Sequence, residues 1–120
     1  MQAKDIEIII VATCSPDSFF PSAACQVQEA LGASEAVAFD LSAACSGFVF
    51  ALNTVQAYIK AGMYKTALIV GAETMSKLVD WNDRATCVLF GDGAGAAVVQ
   101  ADQEGMLGMV QHADEVWAMC

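Results

Sequence analysis

The sequence is poor in positive charge: its 120 residues include five Lys and Arg and one His against 14 Asp and Glu, a formal net charge of −9. So few cations cannot neutralise a phosphate backbone, which argues against nucleic acid as a partner. Long apolar runs are also missing. The most apolar long stretch, 36–52, contains Asp40, Ser42 and Ser46, whereas a membrane-spanning helix needs about 20 nearly uninterrupted apolar residues. We therefore expect neither nucleic acid nor a membrane among its partners.

Paired cysteine motifs are absent as well. The five cysteines stand at positions 14, 25, 45, 87 and 120, an odd number without any CxxC spacing. This pattern supports neither a tetrahedral metal site nor a disulfide framework. The N-terminus carries Asp5 and Glu7 where a signal peptide would have basic residues. We therefore expect no bound metal, reduced thiols and a cytoplasmic protein.

Apolar side chains are abundant, at 57% of the residues against 16% charged. At this length the composition predicts one α/β domain whose sheet is covered on both faces. Turn and periodicity signals predict helices over about 22–31 and 45–61, ended by Gly32 and Gly62, and the second helix is expected to be buried nearly all round. Strands are predicted over 6–12, 36–41, 66–72, 86–90, 94–100 and 105–111. Their order favours a mostly parallel sheet with an antiparallel portion.

Cys45 follows a predicted strand and a tight turn of small residues, and precedes a predicted helix, in "DLSAACSGFVFAL" (40–52). A thiol at the start of a helix faces the positive end of the helix dipole and unpaired backbone N–H groups, which stabilise a thiolate and favour nucleophilic attack. The N–H of Cys45 is also a candidate donor to a developing oxyanion. The same residue equally fits a small side chain buried in a core. From the residues alone, both interpretations stay open.

Three other features carry weaker signals. His112, the single histidine, lies in "QHADE", where nothing directs it to a site. Arg84 fits an anion-binding residue, or a partner of Asp80 or Asp83 in a salt bridge. The segment "FGDGAGAAV" (90–98) lacks the GK[ST] ending of a phosphate-binding loop, so its glycines indicate a tight turn or a close backbone approach.

Four segments together resemble the β-ketoacyl-acyl-carrier-protein synthase III enzymes of the thiolase superfamily. They are "IIVATCSPDSFFPSAACQVQ" (9–28), "AFDLSAACSGFVFAL" (38–52), "ALIVGAETMSK" (67–77) and "DWNDRATCVLFGDGAGAAV" (80–98). The resemblance runs in order over roughly residues 6–114, and the cysteine segment and "FGDGAGA" are its most specific parts. It implies a thiolase-like layered α/β fold with a mixed sheet and a buried central helix. Residues 1–120 would supply mostly its N-terminal half, which bears the cysteine.

The resemblance also implies an activity. Enzymes of this family move an acyl group, often acetyl, from coenzyme A to an active-site cysteine, here Cys45, and condense it with malonyl-acyl-carrier-protein as carbon dioxide leaves. Such a protein takes coenzyme A thioesters as substrates rather than a bound cofactor, has acyl carrier protein as a partner, and works as a homodimer. By the same resemblance, Arg84 contacts the nucleotide end of coenzyme A and Phe90 belongs to the substrate site. Phe20 reaches across the dimer into the partner's acyl tunnel.

The chain also departs from the family pattern. It contains no HQAN-like segment with the catalytic histidine, no GNTSAA-like segment with the asparagine, and no glycine-rich oxyanion loop beyond them, and His112 is followed by Ala-Asp. We therefore expect this partial chain to acylate Cys45 slowly at most and not to complete condensation, and its open apolar faces to cause association. The alternatives are a non-catalytic remnant or complementing fragment, another thiolase-superfamily enzyme such as a type III polyketide synthase, and a redox or thiol-sensor protein.

Overall fold

The computed structural model describes residues 1–103, in which most of the apolar runs predicted as strands form one sheet. The strands are β1 (Ile8–Ala12), β2 (Val37–Leu41), β3 (Thr66–Thr74) and β4 (Asp92–Gln100), and the helices are α1 (Ala23–Leu31) and α2 (Gly47–Lys60). Short 3-10 helices lie at Ala3–Asp5, Ala44–Ser46 and Met75–Lys77. The predicted strand 105–111 and His112 lie outside the described residues.

The sheet has the strand order β2–β1–β3–β4. β1 pairs in parallel with both β2 and β3, and β3 pairs antiparallel with β4. Parallel neighbours need crossover connections, which α1 supplies between β1 and β2 and α2 supplies between β2 and β3. The predicted mixed sheet, mostly parallel with an antiparallel portion, is confirmed.

The two helices cover opposite faces of the sheet, because alternate residues of each strand point to opposite sides. The cluster on the α1 side consists of Ile6, Ile9, Val11, Ala24, Ala33, Ala36 and Leu68. The cluster on the α2 side consists of Ile8, Ile10, Ala51, Val55, Ala67 and Ile69. Burial on both faces explains why β1 is an uninterrupted apolar run.

Polar side chains fix the first turn of α1. The Ser22 hydroxyl accepts a hydrogen bond from the N–H of Cys25 at 3.2 Å. The carboxylate of Asp40 accepts two more, from the N–H groups of Ala23 and Ala24 at 2.9 and 2.8 Å. These bonds satisfy N–H groups that have no partner within the helix. Because Asp40 belongs to β2, they also tie α1 to the sheet.

Both helices end where the glycines predict. Gly32, after α1, and Gly62, shortly after α2, have φ angles of 70° and 72°, a conformation that is unstrained only without a Cβ. At its start, the helix predicted over 45–61 is divided: the 3-10 turn Ala44–Ser46 comes first, and α2 follows directly.

The prediction of a strand over residues 86–90 is wrong, because residues 86–89 form turns and Phe90 belongs to no regular element. The carboxylate of Asp83 holds them locally, accepting hydrogen bonds from the Thr86 hydroxyl at 2.7 Å and from the Ala85 N–H at 3.0 Å. The same two bonds hold the pKa of Asp83 below its ordinary value. An Asp side chain that satisfies nearby backbone and hydroxyl donors in this way stabilises a turn against a strand.

The glycines of "GDGAG" do not form the predicted turn either. Gly93 and Gly95 lie inside β4, where they pair with Glu73 and Gly71 of β3. A Cβ built on either glycine meets no atom of residues 1–103 within 4 Å, so no close backbone approach requires them there. The antiparallel register with β3, rather than turn geometry, determines where these glycines lie.

The predicted burial of α2 holds for the side that faces the sheet. Ala51 and Val55 are completely buried there, whereas Val49 on another side of the helix is 52% exposed. Other exposed large apolar side chains in residues 1–103 include Phe19, Phe20, Val37, Phe48, Leu78, Trp81, Val88, Leu89, Phe90 and Val98. Exposed apolar surface of this extent is typical of an interaction surface. None of the helices in the described part of the chain has the length and hydrophobicity to span a bilayer.

Candidate active site

The carboxyl ends of the three parallel strands meet at one edge of the sheet. Ala12, Leu41 and Gly71 are register partners at this edge. Beyond it, β3 continues to Thr74 and pairs with the first residues of β4. Ligand sites of open α/β sheets lie outside the carboxyl ends of the strands. The loops that leave this edge therefore define the candidate site.

Cys45 lies in one of these loops, in the 3-10 turn Ala44–Ser46 directly before α2, and its side chain is exposed. The turn is closed by hydrogen bonds from the Ser46 N–H to the Ala43 carbonyl at 3.1 Å and from the Gly47 N–H to the Ala44 carbonyl. Ala44 has a φ of 46°, a left-handed conformation that costs a residue with a Cβ about 1–2 kcal/mol. Such strain persists where the surroundings impose it, and it clusters at functional sites.

Two glycines let α2 approach the sheet closely next to Cys45. A Cβ on Gly47 would lie 3.0 Å from the Cβ of Ala12, and a Cβ on Gly71 would lie 3.3 Å from Cδ2 of Phe48. Both distances are shorter than the about 3.5–4.0 Å of an ordinary carbon–carbon contact. The lack of a Cβ at these two glycines therefore allows α2 to pack closer to the sheet and the Phe48 ring to lie against β3. Through α2 they also fix where the Cys45 thiol lies.

A cavity of about 330 Å³ opens beside Cys45, and we refer to it as the Cys45 cavity. Phe48 and Glu73 are the large side chains in its wall; the rest is formed by alanines and glycines of β1, β3, β4 and the cysteine turn. Its volume falls within the range of small-molecule sites, about 300–1,000 Å³. The cavity therefore has room for a small chemical group next to an exposed thiol.

The Glu73 carboxylate is held by three donors from the loop after β1. Its Oε1 accepts from the Cys14 N–H at 2.9 Å, and its Oε2 accepts from the hydroxyls of Ser15 and, at 3.3 Å, of Thr13. Thr74 adds two bonds to the same loop, because its N–H donates to the Ser15 hydroxyl oxygen at 2.7 Å and its own hydroxyl donates to the Ser15 carbonyl at 3.1 Å. Hydrogen bonds to an ionised acceptor are stronger than neutral ones. The side chain of Glu73 is therefore fixed in one orientation.

The same loop is connected to the segment that carries Cys45. The N–H of Thr13 donates to the Leu41 carbonyl at 3.1 Å, and the sulfur of Cys14 lies 3.4 Å from the hydroxyl oxygen of Ser42. These contacts join the loop after β1 to the end of β2, three residues before the nucleophile candidate. The walls of the site are therefore formed at the ends of β1, β2 and β3, which these contacts connect to one another.

A second cavity, of about 440 Å³, shares Ala72, Glu73, Gly93 and Ala94 with the Cys45 cavity, and we refer to it as the adjoining cavity. Two further carboxylates line it, Asp17 and Asp92. The Lys77 ammonium, 2.5 Å from Asp17, lowers the pKa of Asp17. The hydroxyl and N–H of Ser76 donate to Asp92 at 2.6 and 2.8 Å and lower its pKa. Within residues 1–103 no three His, Cys, Asp or Glu side chains are grouped as metal ligands.

Arg84 lies apart from both cavities, exposed in the turns before β4. Within the described part of the chain the one ion pair joins Lys77 to Asp17. The sequence-based alternative of a salt bridge from Arg84 to Asp80 or Asp83 is therefore wrong. The carboxylate of Asp83 instead serves the local turn. Contact between Arg84 and a ligand stays a prediction.

Phe20 and Phe90 are also outside the lining of the two cavities. Phe20 is 86% exposed in the loop after β1, and Phe90 is 46% exposed just before β4. Of the predicted site residues, only Cys45 borders a described cavity. Binding roles for the two phenylalanines stay predictions.

Two side chains of the Cys45 cavity were missed as site residues. Glu73 has a sequence signal, since it is the single acidic residue in the otherwise apolar run "TALIVGAE" (66–73). Phe48 follows Cys45 by three positions, a spacing that brings side chains to the same side of a helix. The expectation of a second helix buried nearly all round places Phe48 in the core, whereas Phe48 is 37% exposed and forms part of the cavity wall.

Comparison with known proteins identifies the class to which this fold and cysteine belong. A family profile for 3-oxoacyl-[acyl-carrier-protein] synthase III matches residues 39–115. The chain is 60% identical over 104 residues to β-ketoacyl-[acyl-carrier-protein] synthase III of Clostridium acetobutylicum, an alignment that covers 87% of this chain and 32% of the relative. It is 54% identical over 115 residues to the synthase III of Bordetella petrii, covering 95% and 35%. The chain belongs to the 3-oxoacyl-[acyl-carrier-protein] synthase III family.

Solved structures agree with this assignment. The 3-oxoacyl-[acyl-carrier-protein] synthase III of Aquifex aeolicus superposes with a TM-score of 0.84 at 51% identity, covering 86% of this chain and 33% of that one. The priming β-ketosynthase of the R1128 polyketide pathway superposes with a TM-score of 0.81 at 37% identity, covering 85% and 30%. The predicted thiolase-like α/β fold is confirmed. The chain spans about a third of the length of these relatives.

Proposed function

We propose that this chain is the cysteine-bearing part of a β-ketoacyl-acyl-carrier-protein synthase III, in which Cys45 accepts an acyl group from acyl-coenzyme A. The supporting observation is the setting of Cys45. The thiol is exposed at the amino end of α2, follows the strained residue Ala44 and borders a cavity of small-molecule size. Membership of the family indicates the class of reaction, and the position of the thiol supports Cys45 as the nucleophile.

The first step is acyl transfer. The Cys45 thiolate attacks the thioester carbon, a new carbon–sulfur bond forms, and the carbonyl oxygen becomes an oxyanion. Because α2 begins two residues after Cys45, its positive end lies near the reacting sulfur, and the N–H of Cys45 is the candidate donor to the oxyanion. The tetrahedral intermediate then collapses, and coenzyme A leaves as a thiolate that takes a proton from solvent. The products are an acylated Cys45 and free coenzyme A.

The second step is decarboxylative condensation with malonyl-acyl-carrier-protein. Carbon dioxide leaves the malonyl group, the resulting carbanion attacks the acyl carbon on Cys45, and the cysteine leaves as a thiolate. This step develops negative charge on the malonyl thioester oxygen, which needs dedicated hydrogen-bond donors. The family's histidine and asparagine segments supply such donors and do not occur in this sequence. We expect the chain by itself to stop at the acylated cysteine.

The proposal extends to partners and location. Acyl carrier protein and acyl-coenzyme A are the expected partners, in the cytoplasm, with no separate cofactor. Arg84 and Phe90 are proposed to contact substrate, and Phe20 is proposed to enter the site of a second copy in a homodimer. The exposure of Phe19 and Phe20, 92% and 86%, at the surface of one loop supports such a contact, because side chains of this size are usually covered.

Labelled acetyl-coenzyme A tests the proposal. The purified chain is incubated with it, digested, and the label is mapped by mass spectrometry. We expect the label on Cys45, its loss in Cys45→Ala, and its retention in the matched control Cys14→Ala, which removes another exposed thiol. Adding malonyl-acyl-carrier-protein is expected to give no β-ketoacyl product. Label absent from Cys45 would overturn the acyl-transfer proposal, and a β-ketoacyl product would overturn the proposed loss of condensation.

A second candidate function is supported by the likeness to the R1128 priming β-ketosynthase. In this alternative the same cysteine accepts a starter acyl group for polyketide rather than fatty-acid synthesis. The two candidates share the first step and differ in the acyl group and the carrier protein. A competition experiment between different acyl-coenzyme A species for Cys45 therefore distinguishes the two candidates by the acyl group that Cys45 prefers. Reversible oxidation of Cys45 without any acylation would instead favour the thiol-sensor alternative.

A further inference from the structure

Glu73 contributes to the walls of both cavities at the candidate site. It stands two residues after Gly71 on β3, so that the two residues project from the same face of the strand. That face is the one against which Phe48 packs, three positions beyond Cys45 on the chain. Every other residue shared by the two cavities is an alanine or a glycine. Glu73 is thus the one large side chain common to both cavities.

The orientation of this side chain is imposed by its hydrogen bonds. Three donors from the loop after β1 hold the carboxylate, and that loop is tied to Thr74 by two further bonds. A side chain held at both carboxylate oxygens cannot change rotamer without leaving these donors unpaired, which is costly at a half-buried position. The wall that Glu73 forms is therefore rigid, unlike one made by a free acidic side chain.

We propose that Glu73 is a specificity-determining residue that limits the size of the group accepted next to Cys45. Its side chain forms part of the wall of the Cys45 cavity, of about 330 Å³, and also borders the adjoining cavity of about 440 Å³, so its truncation is expected to enlarge the space beside Cys45 on the side of the adjoining cavity. The inference rests on the proposed function in taking Cys45 as the acyl acceptor. Short acyl groups are then the substrate class of the native site, and bulkier ones become substrates when Glu73 is shortened.

Competing alkylation of Cys45 tests the proposal without any acyl-coenzyme A. The rates at which iodoacetamide and N-benzyl-iodoacetamide modify the Cys45 peptide are measured by mass spectrometry, and the bulky-to-small rate ratio is compared between variants. We expect Glu73→Ala to raise this ratio about tenfold, since a small change in the size of a pocket discriminates by about that factor. Glu73→Gln keeps the size of the side chain and is expected to leave the ratio unchanged, although it removes the charge.

Glu29→Ala is the matched control, because Glu29 is an exposed acidic residue on α1 outside both cavities. If Glu73→Ala does not fold, Glu73→Asp shortens the side chain by one methylene and is expected to raise the ratio by a smaller factor. An unchanged ratio in the folded Ala or Asp variant overturns the proposal, and so does an equal change in the Gln variant. Failure of acetyl-coenzyme A to label Cys45 is a separate result that bears on the proposed function alone.

Discussion

Replacing Gly47 with alanine tests whether close packing of α2 on the sheet positions Cys45. Gly47 is the first residue of α2, two positions after the cysteine, and it contacts Ala12 at the carboxyl end of β1. Ala12 is paired on both sides, with Leu41 and with Gly71, so the strand cannot easily move away. A methyl group at Gly47 is therefore expected to displace the first turn of α2 instead.

The expected magnitude follows from two opposing effects. The new Cβ would lie 3.0 Å from the Ala12 Cβ, and overpacking of this kind costs about 1–3 kcal/mol. Alanine is favoured over glycine within a helix by up to about 1 kcal/mol, and this gain is smaller in the first turn. We therefore expect a net loss of about 1 kcal/mol in the free energy of unfolding.

Urea denaturation measures the loss, and iodoacetamide labelling of Cys45 measures the displacement. We expect labelling at neutral pH to slow by about threefold, because helix-end stabilisation of a charge is worth about 0.3–1 kcal/mol. Gly91→Ala is the matched control, since a Cβ there meets nothing within 4 Å among residues 1–103. If Gly47→Ala is as stable as this control and labels as fast as the unaltered chain, the reasoning about α2 is refuted.

Three further predictions concern stability. Val55→Ala removes two fully buried methyl groups and should cost about 2 kcal/mol, whereas Val49→Ala on the exposed side of the same helix should change the unfolding free energy by under about 0.5 kcal/mol; similar losses would contradict the assigned faces. Asp40→Asn leaves one of the two helix N–H groups facing an amide N–H₂ and should lower the free energy of unfolding, measured by urea denaturation, by about 1–2 kcal/mol. An unchanged free energy of unfolding would contradict the capping role of Asp40. Glu7 accepts hydrogen bonds from the N–H groups of Lys65 and Thr66, which lower the pKa of its carboxyl group. The ionised Glu7 side chain therefore stabilises the fold at pH values above its ordinary pKa. This stabilisation is lost as the pH falls through the lowered pKa of the folded state. The stability difference between the unaltered chain and Glu7→Gln should therefore shrink on acidification, and a constant difference would contradict that linkage.

The elements that could be predicted from the sequence are those determined by local signals. The run "IEIIIVA" (6–12) predicts a strand buried on both faces, since every residue in it except Glu7 is apolar, and the structure has a buried strand at Ile8–Ala12, two residues shorter at its start. Gly32 and Gly62 follow the two helices and have positive φ angles, which glycine adopts without steric cost, so the sequence indicates both helix ends. Cys45 at the start of a helix follows from the small residues before it and the apolar period after it.

The remaining features depend on contacts between distant parts of the chain. The three donors to Glu73 lie 58 to 60 positions away, so no local pattern identifies them. The apolar segment 86–90 has strand-like composition, but the side chain of Asp83 satisfies nearby donors first. Gly93 and Gly95 resemble turn residues, whereas pairing with β3 places them in a strand. In each case a tertiary or side-chain contact outweighs the local preference.

The most direct test of the central claim compares two exposed thiols of the same molecule. Cys14 and Cys45 are both exposed, but of the two only Cys45 lies directly before the amino end of a helix, the position proposed here for the nucleophile. Iodoacetamide labelling rates of both cysteines are measured across a pH series on the same sample. We expect Cys45 to react up to about fivefold faster than Cys14 at neutral pH, because helix-end stabilisation of a charge is worth up to about 1 kcal/mol. A Cys45 rate equal to or below that of Cys14 at every pH would contradict its role as the nucleophile.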